Sequence, residues 1–413
     1  MTAAAIVVGT VIVLVAVRRV GSVRLRYWQI VAAGALAMLA FQALSPREAL
    51  QAIDLEVMLF LFGVFVLGQA AEISGELEAW SYRLFRHART ADQLALLILF
   101  GLGGASALLM NDTLAIVGVP VVIALARAHR MPEQTVLLAL AFAVTIGSVP
   151  SPIGNPQNLL VGLSDGIENP FAAFARGMLF PTVLNLFLAY VVLRLLEPAA
   201  FHGEALVHER AAPRDLALAR IARVSLALLV GLVATRIVLV AVDSRIELPL
   251  VAIALVPAAV VLVLSPSRRA VAAGIDWSTL AFFVGLFVVV GGVSASGLSA
   301  EAFERLGSGA SDPGVLLWSS AALSQLVSNV PLVALALPVL HEAGASSEAY
   351  LALAAGSTVA GNLTILGAAS NVIILDNAER RFGVQLSMWR FMRVGVPLTA
   401  LNLAVYQLAL RAF

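Results

Sequence analysis

The stretch from Gly147 to Gly162, GSVPSPIGNPQNLLVG, interrupts an apolar run that is otherwise typical of a membrane-spanning helix. It contains three prolines, two asparagines and a glutamine, and proline removes a backbone donor that a continuous helix needs. Within a bilayer, irregular backbone is tolerated only where it is buried in protein or lines a cavity. The stretch therefore predicts a broken helix over 133–163, with its polar middle facing other parts of the protein or a ligand.

The whole chain has the composition of a membrane protein. Of its 413 residues, 61% are hydrophobic and 12% are charged, whereas soluble domains carry about 25% charged residues. The net charge is +1, and no basic patch favours nucleic acid as a partner. Cysteine is absent, which excludes disulfides and thiolate metal sites. These features predict an all-α polytopic protein of the lipid bilayer with no resident cofactor.

Apolar segments alternate with short polar loops along the chain. The first segment is interpreted as a span and not as a cleaved signal peptide, because no positively charged segment precedes it. Ten segments are predicted as membrane spans: 2–17, 28–44, 55–71, 133–163, 170–194, 219–242, 247–265, 277–293, 348–375 and 388–411.

Two further apolar regions, 92–127 and 313–341, fit poorly as single spans. Each is long, and each is interrupted near its middle by polar residues, MNDT (Met110–Thr113) in the first and VSNVP (Val327–Pro331) in the second. Both are predicted to be re-entrant hairpins, in which two short helices enter and leave on the same side of the membrane.

The arginines orient these segments. The sequence contains no lysine. If the loop after the first span is cytoplasmic, twenty arginines fall on that side and five on the other, which is the bias that the positive-inside rule describes. The count holds only if both hairpins return the chain to the side from which it entered. Both termini are then outside, and the composition favours a bacterial inner membrane.

The two halves of the chain resemble each other in order. IDLEVMLFLFGVFVLGQAAEISG from Ile53 resembles IDWSTLAFFVGLFVVVGGVSASG from Ile275, and GNPQNLLV from Gly154 resembles GAASNVII from Gly367. Because the hairpins open to opposite sides, these matches predict two inverted-topology repeats, an architecture of many secondary transporters. Each repeat has five transmembrane helices, one re-entrant hairpin and one broken helix. The predicted boundaries are 1–196 for the first repeat (hairpin 92–127, broken helix 133–163), 197–218 for a cytoplasmic linker, and 219–413 for the second repeat (hairpin 313–341, broken helix 348–375).

Each repeat brings a polar hairpin tip and a polar break towards the middle of the membrane. A broken helix exposes carbonyl oxygens, which can bind Na⁺, and N–H groups, which favour anions. Asparagine suits such a site because its amide both donates and accepts, although interhelical hydrogen bonding without a ligand is the alternative for any single side chain. The candidate substrate- or ion-binding residues are Asn111, Asp112, Thr113, Ser148, Ser151, Gly154, Asn155, Asn158, Ser328, Asn329, Thr358, Asn362, Thr364, Gly367, Ser370 and Asn371. Sodium would bind at two sets, Asn111 with Gly154 and Asn158, and Asn329 with Gly367 and Asn371.

Asp112 is the one carboxylate predicted deep in a membrane element. An acid in that position is a functional-site hypothesis, and protonation and deprotonation would make it a carrier of the coupling proton. The alternative is that Asp112 only caps the N-terminus of the second hairpin arm. Asp54 and Asp276 start spans at opposite faces, and capping is the interpretation for both.

At these residues the chain resembles the ion transporter superfamily, which includes arsenite and antimonite efflux permeases, related sodium/proton antiporters and divalent-anion:sodium symporters. The resemblance covers nearly the whole chain. It implies a homodimer in which a transport domain, carrying the hairpins and broken helices, moves against a scaffold domain like an elevator. The motifs that carry it are Asn111-Asp112, PIGNPQNLL at 152–160, SNVP at 328–331 and GSTVAGNLTILGAASN at 356–371.

The hairpin tips distinguish branches of that superfamily. Symporters usually carry Ser-Asn-Thr at both tips, whereas the tips here are Asn111-Asp112-Thr113 and Ser328-Asn329-Val330. The second tip lacks the hydroxyl that would help to bind a carboxylate. Both tips are more similar to the arsenite permease branch and its anion-permease relatives.

The leading hypothesis is therefore a secondary transporter, not an enzyme, that moves a small anion or a neutral oxyacid such as arsenite and is coupled to H⁺ or Na⁺. The first alternative is a sodium-coupled symporter of dicarboxylates or other anions, and the second is a Na⁺/H⁺ antiporter. An intramembrane enzyme, or a subunit that partners a soluble ATPase, is the remaining class. The sequence has no P-loop, GxSxG or HExxH motif, and its linker offers little docking surface.

Overall fold

In the computed structural model, helices form almost all of the regular structure. The residues described are 2–17, 19–20, 23–25, 27–76, 79, 83, 85, 88–201, 214–241, 248–297, 311–327 and 329–412. Within them the strands are two dipeptides, Arg19–Val20 paired antiparallel with Val23–Arg24. The prediction of an all-α protein is confirmed at this level.

The helices follow the predicted segments closely. Those of the first half are α1 (Thr2–Val17), α2 (Tyr27–Ala40), α3 (Pro46–Ala52), α4 (Leu55–Ile73), α5 (Ala91–Leu97), α6 (Gly103–Leu109), α7 (Asn111–Ala128), α8 (Glu133–Ser148), α9 (Pro156–Leu163) and α10 (Pro170–Leu196), with a π-helical turn (Ile98–Leu102) joining α5 to α6. Those of the second half are α11 (Leu216–Ala241), α12 (Leu250–Leu264), α13 (Arg268–Gly274), α14 (Trp277–Ala295), α15 (Pro313–Val327), α16 (Asn329–Glu342), α17 (Ser347–Val359), α18 (Ala369–Phe382) and α19 (Met388–Ala412).

Several helices are suited to a membrane by length and composition. Within the described part of the chain, five qualify individually: Leu55–Ile73, Ala91–Leu109, Asn111–Ala128, Pro170–Leu196 and Leu216–Arg236. A sixth span results if α13 and the bent continuation Trp277–Val293, which meet at 49°, are one segment. Both arms of the first predicted hairpin are thus long enough to cross alone. The arginine distribution fits either arrangement, because a re-entrant hairpin and a pair of complete crossings both return the chain to the side from which it entered.

Two groups of helices pack separately around the apolar core. In the first group α4 packs on α11 and α12, and α2 packs on α14. In the second group α8 contacts both arms of its own hairpin, and α17 packs on α15. The helices that follow the two breaks exchange partners, because α9 packs on α16 and α18 packs on α7. The two halves are therefore interlocked at the breaks.

The structure corrects two boundaries and adds two short helices. The helix after the second break was expected to end at residue 375, but α18 continues to Phe382, where Gly383 closes it in a left-handed conformation with φ of 70°. The predicted linker 197–218 overlaps the start of α11 at Leu216; residues 202–213 of the linker lie outside the described part of the chain. The short helices α3 and α13 were not predicted.

The two aspartates at the starts of spans act as caps, as predicted. An Oδ1 atom of Asp54 accepts a hydrogen bond of 3.0 Å from the Val57 N–H at the start of α4. Asp276 accepts from the Thr279 N–H at 3.0 Å, and from its hydroxyl at 2.6 Å. Such caps satisfy N–H groups that the first turn of a helix leaves unpaired.

Candidate functional site

The first break runs from the end of α8 to the start of α9, and Asn155 holds its two ends together. The Asn155 Oδ1 atom accepts from the Asn158 N–H at 2.8 Å, so Asn155 is the N-cap of α9. Its Nδ2 atom donates to the Ser148 hydroxyl at 2.9 Å. Asn155 is fully buried. The prolines and this cap together explain why the helix stops at Ser148 and restarts at Pro156.

The amide of Asn158 fills the centre of the first break. Its Nδ2 atom lies 3.2, 3.2 and 3.0 Å from the carbonyl oxygens of Ser148, Val149 and Ser151. These carbonyls follow the end of α8, where intrahelical partners run out. Asn158 is fully buried, and its amide nitrogen is their hydrogen-bond donor.

Thr358, from the second half of the chain, completes this network. Its hydroxyl donates to Asn158 Oδ1 at 3.1 Å and accepts from the Asn155 and Gln157 amides, each at 3.2 Å. Gln157 was not among the predicted site residues, although it lies in the quoted stretch. The side-chain amides of Asn155 and Asn158, two of the residues predicted at this break, therefore form hydrogen bonds with other protein atoms.

The tip of the first hairpin joins the two breaks. The Asn111 N–H donates to the Gly154 carbonyl at 2.8 Å, and Asn111 Nδ2 donates to the Ser370 hydroxyl at 3.4 Å. Gly154 must lack a side chain, because a Cβ there would lie 2.2 Å from the Ser148 carbonyl oxygen. The backbone of Met110 turns the tip with φ of 63°, and residues other than glycine and asparagine seldom adopt a positive φ.

The second break is built differently. Asn371 Nδ2 donates to the Gly361 carbonyl at 2.6 Å. Gln325, from the first arm of the second hairpin, donates to the Ala360 carbonyl at 2.7 Å and accepts from the Thr364 hydroxyl at 2.8 Å. Sequence reasoning missed Gln325, because it precedes the tip by three positions and lies on α15.

Buried oxygen atoms without hydrogen-bond partners occur at the second break and at both hairpin tips. Among the described residues, five buried oxygens here and at the hairpin tips have no hydrogen-bond donor: Oδ1 of Asn111, Asn329, Asn362 and Asn371, and Oγ1 of Thr145. An unpartnered buried polar atom costs on the order of 1–3 kcal/mol unless water or a ligand satisfies it. The first break contributes no side-chain atom of Asn155 or Asn158 to this set.

Asp112 and Thr113 lie in the first turn of α7, directly after Asn111. A Cβ on Gly68 of α4 would lie 2.9 Å from the Thr113 side chain, so the tip packs closely on that helix. The N-cap of α7 is Met110 and not Asp112. Capping therefore does not explain Asp112, although the first turn of a helix still favours its negative charge.

The remaining predicted residues are placed as follows. Gly367 lies against the Ala360 carbonyl, where a Cβ would approach within 2.7 Å. Asn329 is buried at the second tip, and Ser328 lies outside the described residues. The structure thus joins the first tip to both breaks. It places Asn329 at the start of α16, which packs on α9.

A buried polar layer lies behind the second break, and its members Asn185 and Asn402 were not among the predicted residues. Asn362 Nδ2 donates to Asn402 Oδ1 at 3.3 Å, and Asn185 Nδ2 donates to the Asn402 carbonyl at 3.4 Å. The asparagines of this layer on α10 and α19 follow a helical proline in both cases, Pro181 and Pro397. Asn185 follows its proline by four positions and Asn402 by five, so an asparagine about one helical turn after a proline was the available signal.

An ionic cluster ties the ends of three helices at the predicted cytoplasmic side. Glu197, just after α10, binds Arg390, and its second oxygen lies 2.7 Å from the Arg393 guanidinium. The Thr135 hydroxyl at the start of α8 donates to Glu197 at 3.1 Å. Burial opposes ionisation of Glu197, but the two arginines and Thr135 outweigh it and hold the pKa of this carboxyl below its ordinary value.

Because that pKa is lowered on folding, the stability from Glu197 is present above the ordinary glutamate pKa of ~4.3 and is lost as the pH falls below it. The substitution Glu197→Gln should lower the free energy of unfolding by about 2 kcal/mol at pH 7, less than for a fully buried pair because both arginines are partly exposed. A plot of thermal midpoint against pH should also fall less steeply on its acid side for this variant than for the wild type. Glu133→Gln, in a more exposed pair with Arg127, is the control, and an equal effect there would contradict the assignment.

Comparison with known proteins agrees with this architecture. Residues 11–356 match the model of the citrate transporter (CitMHS) family. The protein named "Uncharacterized transporter Rv2684" from Mycobacterium tuberculosis is 27% identical over 425 residues, covering 97% of this chain and 96% of the relative. The silicon efflux transporter LSI3 of Oryza sativa subsp. japonica is 27% identical over 436 residues, covering 90% of each chain.

A solved structure shares the fold. The YdaH transporter of Alcanivorax borkumensis aligns with a TM-score of 0.57 over 99% of this chain and 96% of that chain, at 18% sequence identity. The family match covers well over half of the chain, and the relatives are transporters by name. The chain therefore belongs to the citrate transporter family, a family of secondary anion transporters within the ion transporter superfamily, and is a multi-pass membrane protein.

Proposed function

We propose that the protein is an ion-coupled secondary active transporter that moves a small anion or oxyacid across the membrane, with arsenite- or antimonite-type efflux favoured. The observation that carries the proposal is the Asn111 tip, which bonds to Gly154 of one break and Ser370 of the other. Polar backbone at this depth of an apolar protein is tolerated where it lines a ligand cavity. The name of the rice relative supports efflux, and the description of the citrate transporter family supports an organic anion as substrate, as in the first alternative.

Alternating access would follow an elevator motion of the second helix group, which contains both hairpins and both breaks, against the first. The separate packing of the two groups supports this, since α2, α4, α11, α12 and α14 contact one another more than they contact the breaks. We further propose a homodimer in a bacterial inner membrane, with both termini outside and two inverted repeats. The re-entrant form of the hairpins belongs to the same proposal.

Transport by purified protein in liposomes tests the proposal. Accumulation of arsenite, antimonite, citrate or phosphate should saturate and should depend on an H⁺ or Na⁺ gradient. Conduction that is independent of both gradients and proceeds at channel rates would rule out alternating access. Proton release on addition of Na⁺ alone, with no anion present, would favour the Na⁺/H⁺ antiporter instead.

We propose Asp112 as the carrier of the coupling proton. It is the acidic residue of the tip, and it does not cap its helix. A charge buried in a membrane element is costly, so an acidic residue there is a functional-site hypothesis for proton transfer.

The substitution Asp112→Asn should abolish proton-driven substrate accumulation, a loss of at least about tenfold, while leaving the thermal midpoint within the range of ordinary surface substitutions. Substrate counterflow, which needs no proton gradient, should persist. Asp165→Asn, in an exposed loop, is the matched control and should transport normally. Undiminished proton coupling in Asp112→Asn would remove Asp112 from the mechanism.

A further inference from the structure

The two breaks contain matched threonines and asparagines. Asn158 and Asn371 are 213 positions apart, and Thr145 and Thr358 are separated by the same 213. All four side chains are buried. If the halves were related by an exact two-fold axis, the contact between Thr358 and Asn158 would have a twin between Thr145 and Asn371.

The first of these two hydrogen bonds is formed, and the second is not. The Thr358 hydroxyl donates to Asn158 Oδ1 at 3.1 Å. In the second break both corresponding atoms, Thr145 Oγ1 and Asn371 Oδ1, lack hydrogen-bond partners among the described residues. They flank the same residue, because Asn371 donates to the Gly361 carbonyl at 2.6 Å and a Cβ on Gly361 would lie 3.7 Å from Thr145 Oγ1.

The side-chain amide nitrogens of the two asparagines also differ in the number of carbonyl oxygens that accept hydrogen bonds from them. Asn158 Nδ2 has three carbonyl oxygens within 3.2 Å, those of Ser148, Val149 and Ser151. Several carbonyl oxygens that converge on one point form the kind of site that a bare cation takes in an unwound helix. Here a positively polarised N–H₂ group already occupies that point. Asn371 Nδ2 has one such carbonyl, that of Gly361.

We infer that the two breaks are chemically unequal: the Asn158 amide takes the place of a cation in the first break, and the second break, at Thr145 and Asn371, is the one that needs a cation. The residues of the first break therefore do not fit the sodium site expected at Asn111, Gly154 and Asn158. This inference rests on the proposed function, because it states where that transporter would hold its coupling ion.

The unpartnered atoms favour a small monovalent cation over water as the occupant. Around the second break the free atoms are amide and hydroxyl oxygens, of Thr145, Asn362 and Asn371. A single water molecule donates two hydrogen bonds, so it would serve all three groups only if the Thr145 hydroxyl donated to it, whereas a hard cation is coordinated by all three oxygens directly. The set contains no carboxylate, so a divalent ion would lack the charge that usually holds it. Sodium is therefore the probe.

The test compares the two matched threonines in purified, detergent-solubilised full-length protein. The thermal midpoint is measured while NaCl replaces choline chloride at constant ionic strength. Na⁺ should raise the thermal midpoint of the wild type along a single saturable curve. The Na⁺ concentration that gives half of this rise is the Na⁺ midpoint. Thr145→Val removes a hydroxyl that has no protein partner, so it should leave the thermal midpoint in choline unchanged or higher. It should raise the Na⁺ midpoint at least about tenfold, since loss even of outer-shell partners costs 10–100-fold in metal affinity.

Thr358→Val is the matched control. It leaves the Asn155, Gln157 and Asn158 amides without their shared partner, so the thermal midpoint in choline should fall by several degrees while the Na⁺ midpoint stays as in the wild type. If Na⁺ does not shift the wild-type midpoint, or if both variants change the Na⁺ midpoint equally, the inference is overturned.

A charge substitution in the first break gives an independent result. Asn158→Asp replaces the N–H₂ group by a carboxylate oxygen among three carbonyls, which should create a second, Na⁺-dependent stabilisation absent from the wild type. A single Na⁺ phase unchanged from the wild type would contradict the role of the amide. If only the inference fails, gradient-driven substrate transport in liposomes remains. If Na⁺ binds but no gradient drives substrate transport, the proposed function is contradicted instead.

Discussion

Gly147→Ala should be among the most damaging single substitutions in this protein. A Cβ at Gly147 would lie 2.2 Å from the carbonyl oxygen of Gly103 and 2.3 Å from its Cα. Both are backbone atoms, so no side-chain rotation relieves the clash, and α8 must move away from α6. The expected cost lies at or above the upper end of the roughly 1–3 kcal/mol typical of overpacking. The measurements are the yield of monodisperse protein in detergent and its thermal midpoint.

The neighbouring glycine supplies the control. Gly104 has no atom within 4 Å of its would-be Cβ, so Gly104→Ala should be neutral, or stabilising by up to about 1 kcal/mol through helix propensity. The close approach at Gly147 also brings the Ser106 hydroxyl to 2.8 Å from the Val144 carbonyl. Small residues that let helices approach closely are a general feature of membrane interfaces. Similar behaviour of the two alanine variants would show that α6 and α8 are less tightly packed.

Gly395→Ala should have an effect of similar size but at a different place. A Cβ at Gly395 of α19 would lie 1.9 Å from the carbonyl oxygen of Asn362, in the turn of the second break. The substitution therefore pushes on the break itself. We expect a thermal midpoint lowered by several degrees and, because Asn362 moves, a Na⁺ midpoint raised by at least about tenfold.

Gly231, in the middle of α11, is the control for this second substitution, because no atom lies within 4 Å of its would-be Cβ. Gly231→Ala should change neither the thermal midpoint in choline nor its dependence on Na⁺. The informative outcome is a Gly395→Ala protein that is destabilised yet keeps the wild-type Na⁺ midpoint. That result would separate the turn at Asn362 from the cation site.

The sequence predicted the interruptions of helices well, because they have local causes. Prolines at 150, 152 and 156 remove backbone donors, so α8 had to end near them, and it ends at Ser148. The polar tip at Met110 likewise separates α6 from α7. The end of α18 was missed, because residues 376–382 are polar enough to suggest a loop and are helical only as an extension beyond the apolar segment.

The site was predicted as a set of residues but not as a set of contacts. Asn155, Asn158 and Asn371 were equivalent candidates in the sequence, since each is an amide in a break. In the structure two of them are satisfied internally, and Asn371 keeps a free oxygen. The difference arises from Thr358 and Thr145, which reach the breaks from helices of the opposite half.

The sequence by itself determined the membrane class, the helix breaks and the residue types at the tips, because hydropathy, proline and glycine act over a few neighbouring positions. The inverted repeats that it suggests remain a prediction. Only the tertiary structure decided which polar atoms are partnered, because the pairing that distinguishes the two breaks joins residues of opposite halves, Asn158 and Thr358, which are 200 positions apart. A shift of about one ångström separates a closed hydrogen bond from an open ligand site, and no local pattern encodes a distance that fine.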